Sequence, residues 1–140
     1  MVHALNEVQR VLRPDGILID LRPLLDQWPI EVSWMGGYRE VGRATDLSEP
    51  LADDAAANAA LAKQTTLDEF DRDLDETFPF FYYWDTPKEM QSYIEENWSD
   101  VVTVDEAVWS SLRASWSTAN ADARVRLRMK LLITRCRKRE

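Results

Sequence analysis

The 140-residue chain has little cysteine, histidine and glycine, and each shortage removes a class of function. Cys136 is the only cysteine, which excludes a disulfide framework or a cysteine-ligated zinc site within one chain. His3, the only histidine, lies near a terminus that frays easily, so histidine-based acid–base chemistry is disfavoured. No apolar run is long enough for a membrane span or a signal peptide. We therefore expect a cytoplasmic protein without a membrane partner or a metal site.

Apolar and aromatic residues are plentiful by contrast. Apolar residues make up 45% of the chain and charged residues 30%, with six Trp, four Tyr and four Phe. This composition is typical of a folded globular protein, and the length fits one core. The sequence predicts a single domain over residues 1–140.

The charge is distributed unevenly along the chain. Residues 1–123 hold 9 Lys or Arg against 24 Asp or Glu, whereas residues 124–140 hold 8 against 1. A basic terminus can bind nucleic acid, but the acidic body would repel a phosphate backbone. We expect no nucleic-acid partner, and a basic strand face that lies beside acidic residues of this chain or of a neighbouring subunit.

The pattern of apolar residues predicts an α+β fold with a small mixed sheet. The predicted strands are 17–21, 30–35, 38–43, 101–104 and 125–136, and the last alternates basic and apolar residues. Because residues 17–21 are apolar on both faces, we expect that strand to be central and covered on each side. Residues 30–43 predict a hairpin with a primed turn at Gly36-Gly37, Val32 opposite Val41 and Trp34 opposite Arg39.

Helices are predicted between these strands. The first is residues 4–12, and Pro14-Asp15-Gly16 ends it, with the glycine supplying a positive φ. Ser48 caps an Ala-rich helix, and a capping box at 66–69 begins a helix that buries Phe70 and Leu74 and carries the acidic residues 68–76. Two later helices begin at residues 86 and 105.

Residues 7–21 resemble the late part of class I S-adenosylmethionine-dependent methyltransferases. In that family an "E..RVL+PGG" segment ends a helix and leads into the fifth of seven strands, and here Glu7, Arg10, Val11, Leu12, Pro14 and Gly16 match it. TPKEMQSYIEENW is similar to the helix before the sixth strand, VVTV to that strand, and RMKLLITRCRK to the antiparallel seventh. The resemblance implies the second half of a Rossmann-like methyltransferase fold, with the seventh-like strand between the other two.

The family's cofactor-binding motifs are not matched in this chain. A strand followed by a GxGxG-type loop does not occur, nor does the acidic residue that binds the ribose hydroxyls. Such loops and helix N-termini supply the amides that hold these cofactors. We therefore expect no cofactor in the isolated chain.

Two pairs of residues are candidates for substrate binding, and the catalytic residues are not identified. Asp20 and Arg22 lie at the carboxyl end of a predicted central strand, where open α/β sheets bind ligands, or else form a surface ion pair. Tyr82 and Trp84 lie in FPFFYYWD and can form a wall for a small planar ligand, although core packing explains them as well.

Three functions are consistent with these patterns. The first is a methyltransferase-like domain that acts as a non-catalytic assembly or ligand-binding module. The second is a catalytic methyltransferase whose N-terminal half is supplied upstream or by another chain. The third is an unrelated small α+β binding protein. Because a missing half would uncover an apolar strand, we expect a homodimer with Ile17–Leu21 and part of FPFFYYW at its interface.

Overall fold

The computed structural model describes residues 2–24, 27–46, 55–63 and 70–139, and both helices and strands lie within them. The helices are Val2–Val11 (α1), 55–63 (α2), Pro87–Asn97 (α3) and Glu106–Ser117 (α4). The strands are Ile17–Pro23 (β1), Trp28–Trp34 (β2), Gly37–Asp46 (β3), Phe70–Trp84 (β4), Val102–Thr103 (β5) and Arg124–Lys138 (β6). The α+β class is confirmed. No described helix is long and apolar enough to cross a membrane.

The chain forms two compact units. The first comprises Met1–Leu24, Glu49–Phe78 and Leu131–Glu140, and the second comprises Leu25–Ser48 and Pro79–Lys130. Strands β4 and β6 each contribute residues to both units. Each unit has its own apolar cluster, as described below, and the single domain remains a prediction.

The strands pair in the order β1-β6-β2-β3-β5, and β4 also pairs with β6. The pairings β1–β6, β2–β3, β2–β6 and β3–β5 are all antiparallel, where the sequence predicted a mixed sheet. In the first unit, β6 lies between β1 and β4. The segment 101–104, which resembles the sixth strand of the family, was expected to lie beside β6. It forms only the short strand β5, and β5 pairs with β3. The prediction that β6 lies between β1 and the segment 101–104 is therefore wrong, because β4 lies on the other side of β6 from β1 in the first unit.

The hairpin formed by β2 and β3 has a different register from the predicted one. Val32 lies opposite Arg39, not Val41, and Trp34 lies opposite Gly37, so the predicted Trp34–Arg39 pair is not formed. The ladder also shifts by one residue just after residue 30. The turn was predicted one residue too late in the sequence, and a shift of the turn by one residue changes every cross-strand pair of the hairpin.

Two turns differ from the predicted ones in the residues that adopt a positive φ. The hairpin turn is Met35-Gly36, in which only Gly36 has a positive φ, of 94°. A primed type I turn needs a positive φ at both central residues, and Met35 disfavours it. In the turn after α1, Asp15 adopts the positive φ of 62°, not Gly16. Gly16 is needed for space, because a Cβ there would lie 2.8 Å from the Arg13 carbonyl oxygen.

Residues 70–76 form the first half of β4, not the predicted helix. Residues 66–69, the predicted capping box, and Ser48 lie outside the described residues. Phe70 is buried in the first unit. Asp71 and Asp73 alternate along β4 and pair with arginines in or directly after β6, whereas Asp75 pairs with Arg72 of its own strand. The alternation of Asp71, Asp73 and Asp75 in the sequence is typical of a strand and could have predicted β4.

In the first unit, the acidic side of β4 forms a ladder of ion pairs with β6. Asp73 accepts a hydrogen bond from Arg135 Nε at 2.8 Å and lies 3.7 Å from Arg137. Asp71 accepts one from Arg139 Nε at 2.7 Å. The hydrogen bond from Arg135 holds the pKa of Asp73 below its usual value, so this pair stays ionised in mild acid.

In the second unit, β6 holds a carboxylate that is wholly buried. Glu31 of β2 has no exposed surface and accepts hydrogen bonds from Arg126 Nε at 2.5 Å and Arg128 Nε at 3.0 Å. The Arg126 guanidinium also lies over the rings of Tyr38, at 4.7 Å, and Phe81, at 4.5 Å. Two charge-assisted bonds offset part of the cost of removing this carboxylate from water.

The opposite face of the sheet in the second unit packs against α3 and α4. Buried side chains of this core include Ile30, Val32, Met90, Leu112, Val125 and Leu127. The helix α3 begins as predicted, with the Thr86 hydroxyl oxygen accepting a hydrogen bond from the amide of Glu89 at 3.2 Å. In this unit the core covers one face of β2 and β6, and Glu31 and its two arginines lie on the other face.

We predict that Glu31→Gln destabilises the protein by about 3 kcal/mol, because it leaves two arginines without their buried carboxylate. Arg128 keeps contact with water, which places the cost at the low end of the range for broken buried pairs. Urea denaturation measures the change. The control is Glu40→Gln, since Glu40 is 35% exposed and lies 3.8 Å from Arg128. Its cost is about 0–1 kcal/mol. Equal losses in the two variants would contradict a special role for Glu31.

Candidate functional site

Strand β1 presents an exposed row of apolar side chains. Ile17, Ile19 and Leu21 are 47%, 56% and 54% exposed and alternate with less exposed residues along the strand. β1 stands at the end of the strand order, so its outer edge has no partner strand among the described residues. The prediction of a central strand covered on both faces is therefore wrong. Apolar residues on both faces indicated burial, but the described residues cover only one face. We call these three side chains the apolar row.

The other face of β1 packs against helices of the first unit. Leu18 contacts a buried cluster formed by Leu5 of α1 with Ala60 and Leu61 of α2. This contact covers the Leu18 face and fixes which side of β1 carries the apolar row.

The predicted site residues Asp20 and Arg22 lie together on this covered face. Arg22 Nε donates to Asp20 Oδ2 at 2.8 Å, and the two side chains are 14% and 21% exposed, Arg22 being the lower. Arg22 also donates to the Asn58 side-chain oxygen of α2 at 2.8 Å. The pair fastens β1 to α2, so the interpretation as an ion pair fits better than substrate binding.

A buried polar group lies next to this pair on β6. Thr134, opposite Asp20, has no exposed surface, and its hydroxyl donates to Asp75 at 3.0 Å. Cys136 is 3% exposed, and burial raises the pKa of its thiol, which disfavours the nucleophilic thiolate. No group of three or more His, Cys, Asp or Glu side chains able to hold a metal ion is found among the described residues. Thr134 and Cys136 therefore contribute to packing in the first unit.

The second predicted pair, Tyr82 and Trp84, belongs to the second unit. Their rings stack at 6.1 Å, and Trp98 meets Tyr82 edge-on at 4.8 Å. Tyr93 of α3 lies 5.6 Å from Trp84 and 5.1 Å from Trp98. Trp84 is only 9% exposed and belongs to the core, so core packing accounts for most of its surface.

One end of this aromatic cluster opens onto a cavity of about 460 Å³. The lining residues are Trp84, Thr86, Lys88, Glu89, Ser92, Tyr93 and Glu96, most of them on α3. Trp84 is thus the predicted site residue that reaches a cavity, while Tyr82 packs behind it. Sequence reasoning missed Glu89, Tyr93 and Glu96, although their spacing of four and three residues places them on one side of a helix.

No protein-family model, curated protein or solved structure matches the chain. The apolar row of β1 and the cavity beside α3 are the two features of the described residues from which we infer function.

Proposed function

We propose that the chain is a methyltransferase-like domain that acts as a non-catalytic assembly module in the cytoplasm and forms a homodimer through β1. The apolar row on an edge strand is the observation that carries this proposal. The antiparallel placement of β6 beside β1 supports the resemblance to the fifth and seventh strands of the methyltransferase fold.

An exposed apolar edge strand favours association. The outer edge of such a strand can add another strand through backbone hydrogen bonds, and its side chains gain free energy when they leave water. Each half-exposed Ile or Leu gains about 1 kcal/mol on full burial, and two copies bring six such side chains, or about 6 kcal/mol. Association costs about 4–15 kcal/mol. Burial of the apolar row therefore needs the backbone hydrogen bonds of edge pairing in addition.

A second copy of the chain suits this edge because the Asp20–Arg22 ion pairs of the two copies can lie side by side with opposite charges facing one another. Antiparallel pairing of two β1 strands about Leu21 sets Asp20 of each copy opposite Arg22 of the other. Opposite charges across neighbouring strands are favourable, and like charges are unfavourable. Pairing about Asp20 would oppose two carboxylates. We therefore place the two-fold axis of the dimer at Leu21.

The proposed interface also takes in part of FPFFYYW. Phe78 belongs to the first unit, as β1 does, and is 37% exposed. Exposed aromatic rings are enriched at interfaces between proteins. They are a secondary part of the proposal, since the apolar row alone defines the edge that pairs.

We predict that the chain is a dimer at micromolar concentration and that Ile19→Glu makes it a monomer. Ile19 lies opposite Arg135, so the new carboxylate has a basic neighbour within its own chain and the fold survives. Burying that charge in the dimer is costly. Sedimentation equilibrium measures the change.

The matched control for this experiment is Val101→Glu. Val101 is 39% exposed, lies outside β1, and receives the same added charge. This variant remains dimeric if β1 forms the interface. A monomeric parent chain, or equal dissociation of both variants, would rule out assembly through β1.

The alternative is a catalytic methyltransferase whose cofactor half comes from an upstream segment or another chain. Neither a GxGxG-type loop nor its strand is present in the 140 residues. We expect isothermal titration of the isolated chain with S-adenosylmethionine to give no binding in the low micromolar range, which corresponds to about −7 to −8 kcal/mol. Binding of that strength would overturn the non-catalytic proposal and favour the catalytic alternative.

A further inference from the structure

We propose that the cavity beside α3 binds a small organic ammonium cation, such as a trimethylammonium group. This inference concerns the second unit and is independent of the assembly proposed for β1. Three properties carry it: the aromatic walls, the charge of the lining residues, and the size of the cavity.

Two aromatic rings form one corner of the cavity. The Trp84 and Tyr93 ring centroids are 5.6 Å apart, and their planes are inclined at 56°. Tyr93 is 37% exposed, whereas Trp84 is held rigidly in the core. A cation within about 6 Å of such ring centroids is attracted by their electron-rich faces. Rigid rings also lose little side-chain entropy when a ligand binds.

The charges of the lining residues favour a cation over an anion. The lining contains two carboxylates, from Glu89 and Glu96, and one ammonium group, from Lys88. The whole chain carries a net charge of −8, which raises the local concentration of cations around it. Two amides near the start of α3 are already bonded, because the Glu89 amide donates to the Thr86 hydroxyl and the Asp85 amide donates to the Glu89 carboxylate at 3.1 Å. Among the lining residues, Lys88 alone carries a positive charge that would attract an anion.

The cavity also has a suitable size and suitable polar groups. Its volume of about 460 Å³ falls within the range of small-molecule sites, which is about 300–1,000 Å³. The hydroxyl groups of Thr86 and Ser92 lie in the lining and can bond a hydroxyl on the ligand. A trimethylammonium group is weakly hydrated and apolar on its surface, so it suits aromatic walls better than a metal ion does.

The test is a titration of the isotopically labelled full chain with choline, followed by the amide and indole NMR signals of residues 84–96. We expect saturable shifts with a dissociation constant of about 1 mM, the affinity of a small fragment. The uncharged carbon analogue, neohexyl alcohol, has nearly the same shape. It should bind at least about fivefold more weakly, because it lacks the charge that the rings and carboxylates attract.

Two variants test the lining directly. Tyr93→Leu removes an aromatic face and should weaken choline binding about threefold to tenfold. Glu96→Gln removes one of the two carboxylates and should weaken it as well. The matched controls are Glu95→Gln, which changes a neighbouring glutamate outside the lining, and Tyr38→Leu, which removes an exposed tyrosine elsewhere. Both controls should bind choline as the parent chain does.

Three outcomes would overturn the proposal. The first is the absence of saturable shifts at residues 84–96. The second is equal binding of choline and neohexyl alcohol, which would indicate an apolar cavity without a preference for charge. The third is equal weakening by Glu95→Gln and Glu96→Gln, which would indicate a general effect of net charge. None of these outcomes depends on whether the chain is dimeric.

Discussion

The basic strand β6 depends on carboxylates that come from other strands of the same chain. In the first unit its arginines pair with Asp71 and Asp73 of β4, and in the second they enclose Glu31 of β2. These contacts account for the charge asymmetry of the sequence, since the positive C-terminal segment and the acidic residues before it neutralise each other within the fold. The cost of burying Glu31 fixes the register of β2 against β6, because a slip would separate the carboxylate from both arginines.

Much of the fold could be predicted from local patterns. β6 follows from the alternation of basic and apolar residues, and α3 follows from the Thr86 cap and Pro87. The prediction of a helix over residues 70–76 was wrong, because a run of acidic residues is compatible with either an exposed helix face or a strand. Acidic residues on 71–76 fit the exposed side of a helix, and only the arginines of β6, about 60 positions later, make the strand favourable. Long-range ion pairs of this kind are not encoded in any local window, and tertiary context overrides propensity. The predicted position of the hairpin turn was wrong for a smaller reason. Gly36 and Gly37 both permit a positive φ, and only packing decides which of the two adopts it.

The site residues could be predicted less well than the fold. Asp20 and Arg22 lie two positions apart on a strand, so their pairing on one face was foreseeable, but their contact with α2 was not. Trp84 reaches the cavity because it packs beside Tyr93 of α3, and the sequence does not show this contact. The residues of β1 alone did not predict the exposure of the apolar row, because an apolar strand has the same sequence pattern whether its own chain or another chain covers its second face. The expectation of an uncovered strand came only from the resemblance to half of a methyltransferase fold. The assembly function of β1 is therefore a proposal that rests on the exposure of the apolar row.

Hydrogen exchange of the β1 amides as a function of protein concentration tests the assembly proposal most directly. Edge amides of an unpaired strand exchange fast, and pairing with a second copy protects them. The account predicts that protection of residues 17–22 rises between about 1 µM and about 100 µM protein, while the amides of α4 show no change, since mass action populates the dimer. Equal and fast exchange of residues 17–22 across that range would contradict pairing through β1.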